Sequence, residues 1–151
     1  MNANKNVWTA LAACAVGAFV MLVGLRIIPS NESDFHAPHW VVTAAGLAFV
    51  CAGIAAGLGA DQQTWRRIVV ELAVLAIVAA FAAIAGWIGF GPGARHFEGG
   101  LPFISAAAND AVGRVLFGGV GVLFGVAGVA MVIAMLRRWG RDAAAERAVS
   151  N

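Results

Sequence analysis

The sequence predicts an all-α membrane protein, a four-helix transmembrane bundle whose chain crosses a bilayer four times. Three observations predict this fold class. The 151 residues are 61% hydrophobic and only 12% charged, whereas soluble domains average about 25% charged residues. The chain contains four apolar segments of about the 20 residues that a membrane-spanning helix needs. Those segments are apolar on every face, so they lack the alternating polarity of barrel strands.

The four predicted spans are nearly free of charge. The first contains Arg26 near its end, the third contains Glu71 in its first turn, and the other two contain no charged residue. At about 1.5 Å of rise per residue, each span is about 32–35 Å long and crosses a bilayer with modest tilt. The predicted spans are 7–28, 40–60, 68–90 and 115–136. We therefore assign 1–136 to a single membrane domain and 137–151 to a basic tail that extends the last helix.

Lysine and arginine are distributed unequally between the two sides of the membrane. In a four-span chain the N-terminus, the second connection and the tail share one side, which has seven Lys and Arg residues against three on the other. The seven are Lys5, Arg66, Arg67, Arg137, Arg138, Arg141 and Arg147. Because cytoplasmic segments are enriched in Lys and Arg, we expect both termini in the cytoplasm. The chain has a general resemblance to many small bacterial four-span proteins, so we expect it in a bacterial inner membrane.

The longest predicted connection covers residues 91–114 on the external side. Its Gly and Pro residues rule out a continuous helix. Residues 101–108 within it are apolar and either lie on the membrane surface or enter the bundle. Asn109 or Asp110 is the predicted N-cap of the fourth span, because a short polar side chain accepts a hydrogen bond from the first helical turn.

Glycine stripes predict the faces on which the spans pack. Small residues let membrane helices approach closely, and glycine is informative because it costs helix stability relative to alanine. The predicted packing residues are Gly53 and Gly57 in the second span and Gly118, Gly121, Gly125 and Gly128 in the fourth. We predict that the second and fourth spans make the closest contact, either within the chain or across an oligomer.

Glu71 is the only acidic residue within a predicted span. Carboxylates within membranes often mark ion or proton pathways. Arg67 lies one turn earlier, however, and the i,i+4 spacing favours an ion pair at the cytoplasmic interface. We predict the Arg67–Glu71 pair, with ion coupling by Glu71 as the alternative.

The two external loops contain the residues that come nearest to a metal-ligand set. These are His36, His39, His96 and Asp34, and imidazole and carboxylate groups are ligands for zinc. Loops are also where polar residues must go in such an apolar chain, and ordering the glycine-rich segment around His96 carries an entropic cost. We therefore expect no metal site and no cofactor, with a site at these four residues as the alternative.

The function that the sequence favours is that of a non-enzymatic accessory or assembly partner of a larger membrane complex. The nucleophile-elbow, zinc-protease and phosphate-loop motifs are absent from the sequence. The alternative is a small transporter or channel component acting as a homo-oligomer. A transporter needs polar groups near the midplane, where the sequence offers Cys14, Cys51 and Thr43. We expect the chain to contact lipid and either a membrane-protein partner or a second copy, and not nucleic acid.

Overall fold

The computed structural model describes residues 3–29, 37–59, 64–92 and 105–150 of the chain. They form four α-helices, α1 (Ala3–Gly24), α2 (His39–Leu58), α3 (Thr64–Phe90) and α4 (Ala106–Ser150). Each helix is long and apolar enough to cross a membrane, and these four ranges contain no strand. The predicted fold class, an all-α chain with four transmembrane helices, is confirmed.

The first helix ends at Gly24 and not at 28, because the chain turns at Arg26. Arg26 has a φ of 60°. The N–H of Ile27 donates to the carbonyl oxygen of Leu22 at 3.0 Å, and the N–H of Arg26 donates to that of Val23 at 3.0 Å. These two hydrogen bonds form a Schellman motif, which usually has glycine at the left-handed position. A non-glycine residue in this left-handed conformation is less stable by about 1–2 kcal/mol, so the turn that ends α1 is strained at Arg26.

The fourth helix begins at Ala106, well before the predicted start at 115. The backbone N–H of Ala108 donates to Ser105 Oγ at 3.3 Å, which is the geometry of an N-cap. The prediction that Asn109 or Asp110 caps this helix is therefore wrong. The alanines that follow Ser105 are the strongest helix formers, and they extend the helix into the predicted 91–114 connection. At its other end α4 continues to Ser150, which confirms the helical extension predicted for the tail.

The four helices pack in chain order. Helix α1 contacts α2, α2 contacts α3 and α3 contacts α4, and no other pair of these helices is in contact. The bundle is therefore open, with α1 and α4 at its two edges. The rings of Trp40 and Trp87 pack edge to face at one end of the α2–α3 pair, with their centroids 6.0 Å apart. The opposite end, which we call the arginine end, contains Arg66, Arg67, Arg137, Arg138 and Arg141.

Glycines bring the backbones of α1 and α2 into contact along the pair. A Cβ atom added to Gly17 would lie 2.6 Å from the backbone nitrogen of Val50. A Cβ atom added to Gly46 would lie 2.5 Å from the backbone nitrogen of Met21. No residue larger than glycine fits at this separation, which is the close approach that small residues permit between membrane helices.

The predicted contact between the second and fourth spans is wrong within a single chain. Gly53 and Gly57 face α1, because a Cβ atom on Gly53 would lie 2.5 Å from Cys14 Sγ and one on Gly57 would lie 3.3 Å from Ala10 Cβ. On α4, a Cβ atom on Gly121 would lie 2.6 Å from the backbone nitrogen of Gly86 in α3. A stripe identifies a packing face but not its partner, and helices that follow each other in sequence usually pack together. A contact across an oligomer stays a prediction.

Candidate functional site

A carboxylate near the start of α3 joins this helix to α4. Glu71 Oε1 lies 3.1 Å from Arg67 Nε and 2.6 Å from Arg138 Nη1. The Glu71 side chain is 15% exposed, whereas the Arg67 and Arg138 side chains are 47% and 42% exposed. Hydrogen bonds between ionised partners are roughly twice as strong as neutral ones. The contact with Arg138 therefore fixes the arginine end of the α3–α4 pair.

Only half of the Glu71 carboxylate is satisfied by the described residues. The second oxygen, Oε2, is buried and has no hydrogen-bond partner among them. Buried polar atoms are nearly always hydrogen-bonded, and Arg66 Nε is the other buried side-chain atom without a hydrogen-bond partner among the described residues. This oxygen can accept a further hydrogen bond or a proton.

A cavity of about 720 Å³ lies along the C-terminal half of α4. Arg137, Arg138 and Arg141 line its charged part, and Ile133 lines its apolar part. Of the three arginines, Arg138 has Glu71 as its partner. Neither of the other two has an acidic partner among the side chains that the structure describes. The cavity is therefore a site of net positive charge at the arginine end.

An apolar groove of about 520 Å³ runs between α3 and α4. Small residues form much of it, namely Ala79, Ala82 and Ala83 from α3 with Gly125 and Gly128 from α4. Ile133 lines both this groove and the arginine cavity, so the two adjoin. Arg137 and Arg141 lie on a different face of α4 from Gly125 and Gly128, since they are displaced from them by more than a quarter of a helical turn.

The glycines predicted to form packing faces occupy four different environments. Gly53 and Gly57 face α1, and Gly121 faces the backbone of α3. Gly118 faces the Phe90 ring, whose Cζ would lie 2.9 Å from an added Cβ. On the groove side, a Cβ atom at Gly128 would meet Val78 at 3.5 Å, and one at Gly125 would meet nothing within 4 Å.

The predicted metal ligands contribute little to the described structure. His39 is the first residue of α2, and its carbonyl oxygen accepts a hydrogen bond from Thr43 Oγ1 at 3.0 Å. His36, His96 and Asp34 lie outside the described residues. Within the four described ranges, no group of three or more His, Cys, Asp or Glu side chains is placed to hold a metal ion. The expectation for these loops stays a prediction.

The polar groups that the sequence places near the midplane bond to nearby helix backbone. The Cys14 thiol donates to the carbonyl oxygen of Val50 at 3.7 Å, and Cys51 is buried as a free cysteine. The Thr43 hydroxyl is satisfied one turn earlier in its own helix. These side chains therefore support the α1–α2 pair and its helices.

Sequence reasoning identified the Arg67–Glu71 pair but not the contact of Glu71 with Arg138. Arg138 follows Glu71 by 67 residues, so no local spacing rule relates them. The available signal was the pairing of an acidic residue in one span with a basic cluster that the predicted topology places on the same side. Comparison of the chain with family models, curated proteins and solved structures gives no match.

Proposed function

We propose that the protein is a non-enzymatic accessory or assembly partner of a larger membrane complex. The observation that carries this proposal is the open arrangement of the helices, in which α1 and α4 each pack against a single neighbour. Membrane helices associate through close packing and not through a hydrophobic driving force. An open row of helices can therefore accept further helices at either edge without rearranging.

The outer face of α4 has the composition expected of such an edge. Val115, Gly119, Val122 and Val126 recur at intervals of four, three and four, which places them on one helix face. A Cβ atom added to Gly119 would meet nothing within 4 Å, and the three valines are between 55% and 74% exposed. A small residue between β-branched ones offers a shallow surface for a partner helix.

The test is purification of the tagged full chain in mild detergent, followed by identification of co-purifying proteins. We expect a membrane-protein partner in a fixed ratio to the chain. The Gly119→Leu variant should lose this partner, because the larger side chain projects from the edge face. Gly125→Leu, on the same helix but in the groove, is the matched control and should keep it. A chain that purifies alone as a monomer would overturn the proposal.

The proposal includes a bacterial inner-membrane location with both termini in the cytoplasm. Its support is the seven-to-three distribution of Lys and Arg. The prediction is tested with reporter fusions at residues 151 and 96. A reporter that is active only in the periplasm should work at 96 and fail at 151. Activity at 151 would contradict the orientation.

A homo-oligomeric transporter or channel component is the second candidate. The observation that favours it is the buried Glu71 Oε2 without a partner among the described residues, because carboxylates within membranes often mark ion or proton paths. Purification as a homo-oligomer, together with ion flux into vesicles that Glu71→Gln abolishes, would support this function in place of the first.

A further inference from the structure

We propose that the outer face of α4 binds a transmembrane helix of a different protein, and that this helix carries a carboxylate at the level of Arg137 and Arg141. The inference rests on the proposed function, because it gives the chemistry of the partner that the outer face accepts. It is carried by the two arginines at the end of this face, by the cavity beside them and by the way in which α3 already binds α4.

The outer face of α4 continues from its valines into two arginines. Beyond the valines, steps of three and four residues lead to Ala130, Ile133, Arg137 and Arg141, which are all exposed. Such steps keep to one side of a helix. Gly119 and Arg137 lie about five full turns apart at about 3.6 residues per turn, so they share one face. This face is therefore apolar along the membrane and basic at the arginine end.

The two arginines lie at the depth of a membrane interface. From Val115 to Arg137 the outer face extends about 33 Å at about 1.5 Å per residue, and the hydrocarbon core of a bilayer is about 30 Å thick. A carboxylate that meets Arg137 would therefore lie at the edge of the hydrocarbon, where a charged group costs less than at the bilayer centre.

The charges at the end of the outer face favour an acidic partner. Arg137 and Arg141 are one turn apart, and neither has an acidic partner among the described side chains. Like charges at this spacing destabilise a helix. A carboxylate between the two guanidinium groups would offset the repulsion and accept paired hydrogen bonds. The cavity of about 720 Å³ lies at this position, and each described residue that lines it belongs to α4. It leaves room beside the guanidinium groups for a side chain of another molecule.

The α3–α4 pair shows how α4 binds a helix of this kind. On another side of α4, Gly121 packs against the backbone of Gly86 in α3. Glu71, in the first half of α3, then places Oε1 2.6 Å from Arg138 Nη1. The outer face offers the same two features, a small residue at Gly119 and guanidinium groups at the arginine end. A helix antiparallel to α4, with small residues on one face and a carboxylate near its start, would repeat the contact that α3 makes.

A second copy of the chain does not supply this carboxylate. The helices at the edges of the bundle are α1 and α4, and α1 contains neither Asp nor Glu. The outer face of a second α4 in the same orientation would bring its own Arg137 and Arg141 against those of the first. Like charges opposed across an interface disfavour that contact. The occupant is therefore a different protein.

The experiment measures binding of a synthetic transmembrane peptide to the purified full chain by fluorescence energy transfer in uncharged detergent micelles. The peptide consists of leucine with a face of glycine and alanine, and it carries one glutamate near its N-terminus. An otherwise identical peptide carries glutamine. The donor fluorophore is fused to the C-terminus of the chain, and the acceptor is on the peptide. We expect the glutamate peptide to bind about tenfold more tightly, at the lower end of the range for a hydrogen bond to a charged group.

Variants of the chain test the charge and the face separately. Arg137→Gln/Arg141→Gln should bind the two peptides equally, and Arg137→Glu/Arg141→Glu should prefer a third peptide with lysine in place of glutamate. Gly119→Leu should weaken binding of both the glutamate and the glutamine peptide. Gly125→Leu, with its side chain in the α3–α4 groove, is the matched control and should bind as the parent does. Circular dichroism checks that each variant is folded. If a leucine or glutamate variant fails that check, the glutamine variant decides the proposal, because its two positions are exposed.

Three results would overturn the proposal. The first is equal binding of the glutamate and glutamine peptides by the parent chain. The second is an Arg137→Gln/Arg141→Gln variant that still prefers the glutamate peptide. The third is displacement of the glutamate peptide by an equal concentration of phosphatidylglycerol but not of phosphatidylcholine, which would assign the arginines to a lipid headgroup.

The results also separate this inference from the proposed function. A co-purifying partner that Gly119→Leu loses and Arg137→Gln/Arg141→Gln keeps would leave the proposed function standing and contradict the inference. A chain that purifies alone but distinguishes the two peptides would contradict the proposed assembly and leave the recognition of an acidic helix standing.

Discussion

The α1–α2 and α3–α4 interfaces are both rich in glycine, yet they differ in how far the two backbones stay in contact. Between α1 and α2, Gly17, Gly46 and Gly53 each place their helix against the backbone of the other. Between α3 and α4, Gly121 makes such a contact, but Gly125 one turn later meets nothing within 4 Å. The first interface is therefore closed along its length, and the second opens toward the arginine end.

The reason for the difference lies in the residues around the glycines. Phe81 and Phe124 stack between α3 and α4 with ring centroids 5.6 Å apart, just where the α3–α4 interface begins to open. Phe81 is half exposed, and Phe124 also lines the groove, so the aromatic pair forms one end of the groove. The ion pair of Glu71 with Arg138 then joins the helices again at 2.6 Å. A groove remains between the aromatic pair and the ion pair. A glycine stripe therefore indicates a packing surface, but not every glycine in it is in contact with the neighbouring helix.

The largest effect is expected for Gly17→Ala in the closed interface. The added methyl group would lie 2.6 Å from the backbone nitrogen of Val50 and 2.7 Å from the carbonyl oxygen of Gly46. Neither atom can move without shifting α2, so we expect a loss of about 3 kcal/mol in the free energy of unfolding. Unfolding by SDS in mixed micelles, followed by circular dichroism, measures it. Gly119→Ala, whose Cβ has open space, is the control. Equal stability of the two variants would mean that α1 and α2 are not in backbone contact.

Gly121→Ala should have a smaller effect in the same assay. Its methyl group would meet the backbone nitrogen of Gly86 at 2.6 Å, but the adjacent groove gives the α3–α4 pair room to relax. We expect a loss of about 2 kcal/mol. A loss greater than that of Gly17→Ala would show that the α3–α4 interface is the more rigid of the two, which would reverse the comparison.

The ion pair at the open end should contribute less than either glycine contact. A double-mutant cycle with Glu71→Gln and Arg138→Gln should give a coupling of about 1 kcal/mol, because the pair is partly buried and charge-assisted. The matching cycle with Arg67→Gln should give about 0.3–0.5 kcal/mol, as exposed i,i+4 pairs do. High salt should weaken the Arg67 coupling more than the Arg138 coupling. Equal couplings would mean that Arg138 does not hold the two helices together.

The sequence predicted the features of the fold that depend on hydrophobicity over a long window. Four helices were expected from four apolar runs, and the described structure contains them. Their ends were predicted less well, because these depend on a few local contacts. The Arg26 turn shortens α1, since arginine there adopts a conformation that composition does not signal. The Ser105 cap lengthens α4, since a serine in an apolar stretch was not recognised as the start of a helix.

The candidate site was predicted only in the part that is local in sequence. Arg67 and Glu71 are one turn apart, so helical periodicity relates them directly. Arg138 joins Glu71 through tertiary packing of α3 on α4, and that pairing depends on which glycine faces meet. Because the sequence predicted a contact between the second and fourth spans, it could not bring Arg138 to Glu71. The groove was equally hidden, because it depends on how α3 and α4 pack together.

The smallest expected effect is that of Gly125→Ala, and it should have the opposite sign from Gly121→Ala one turn away. The new methyl group meets no atom within 4 Å, so no packing is lost. Alanine is a better helix former than glycine by up to about 1 kcal/mol, and we expect a gain of about 0.5 kcal/mol in detergent without added lipid. Gly119→Ala should show the same gain, because its added Cβ also meets nothing within 4 Å. A loss of stability at Gly125 in lipid-free detergent would show that the folded chain fills the groove itself, and that the two interfaces are closed alike.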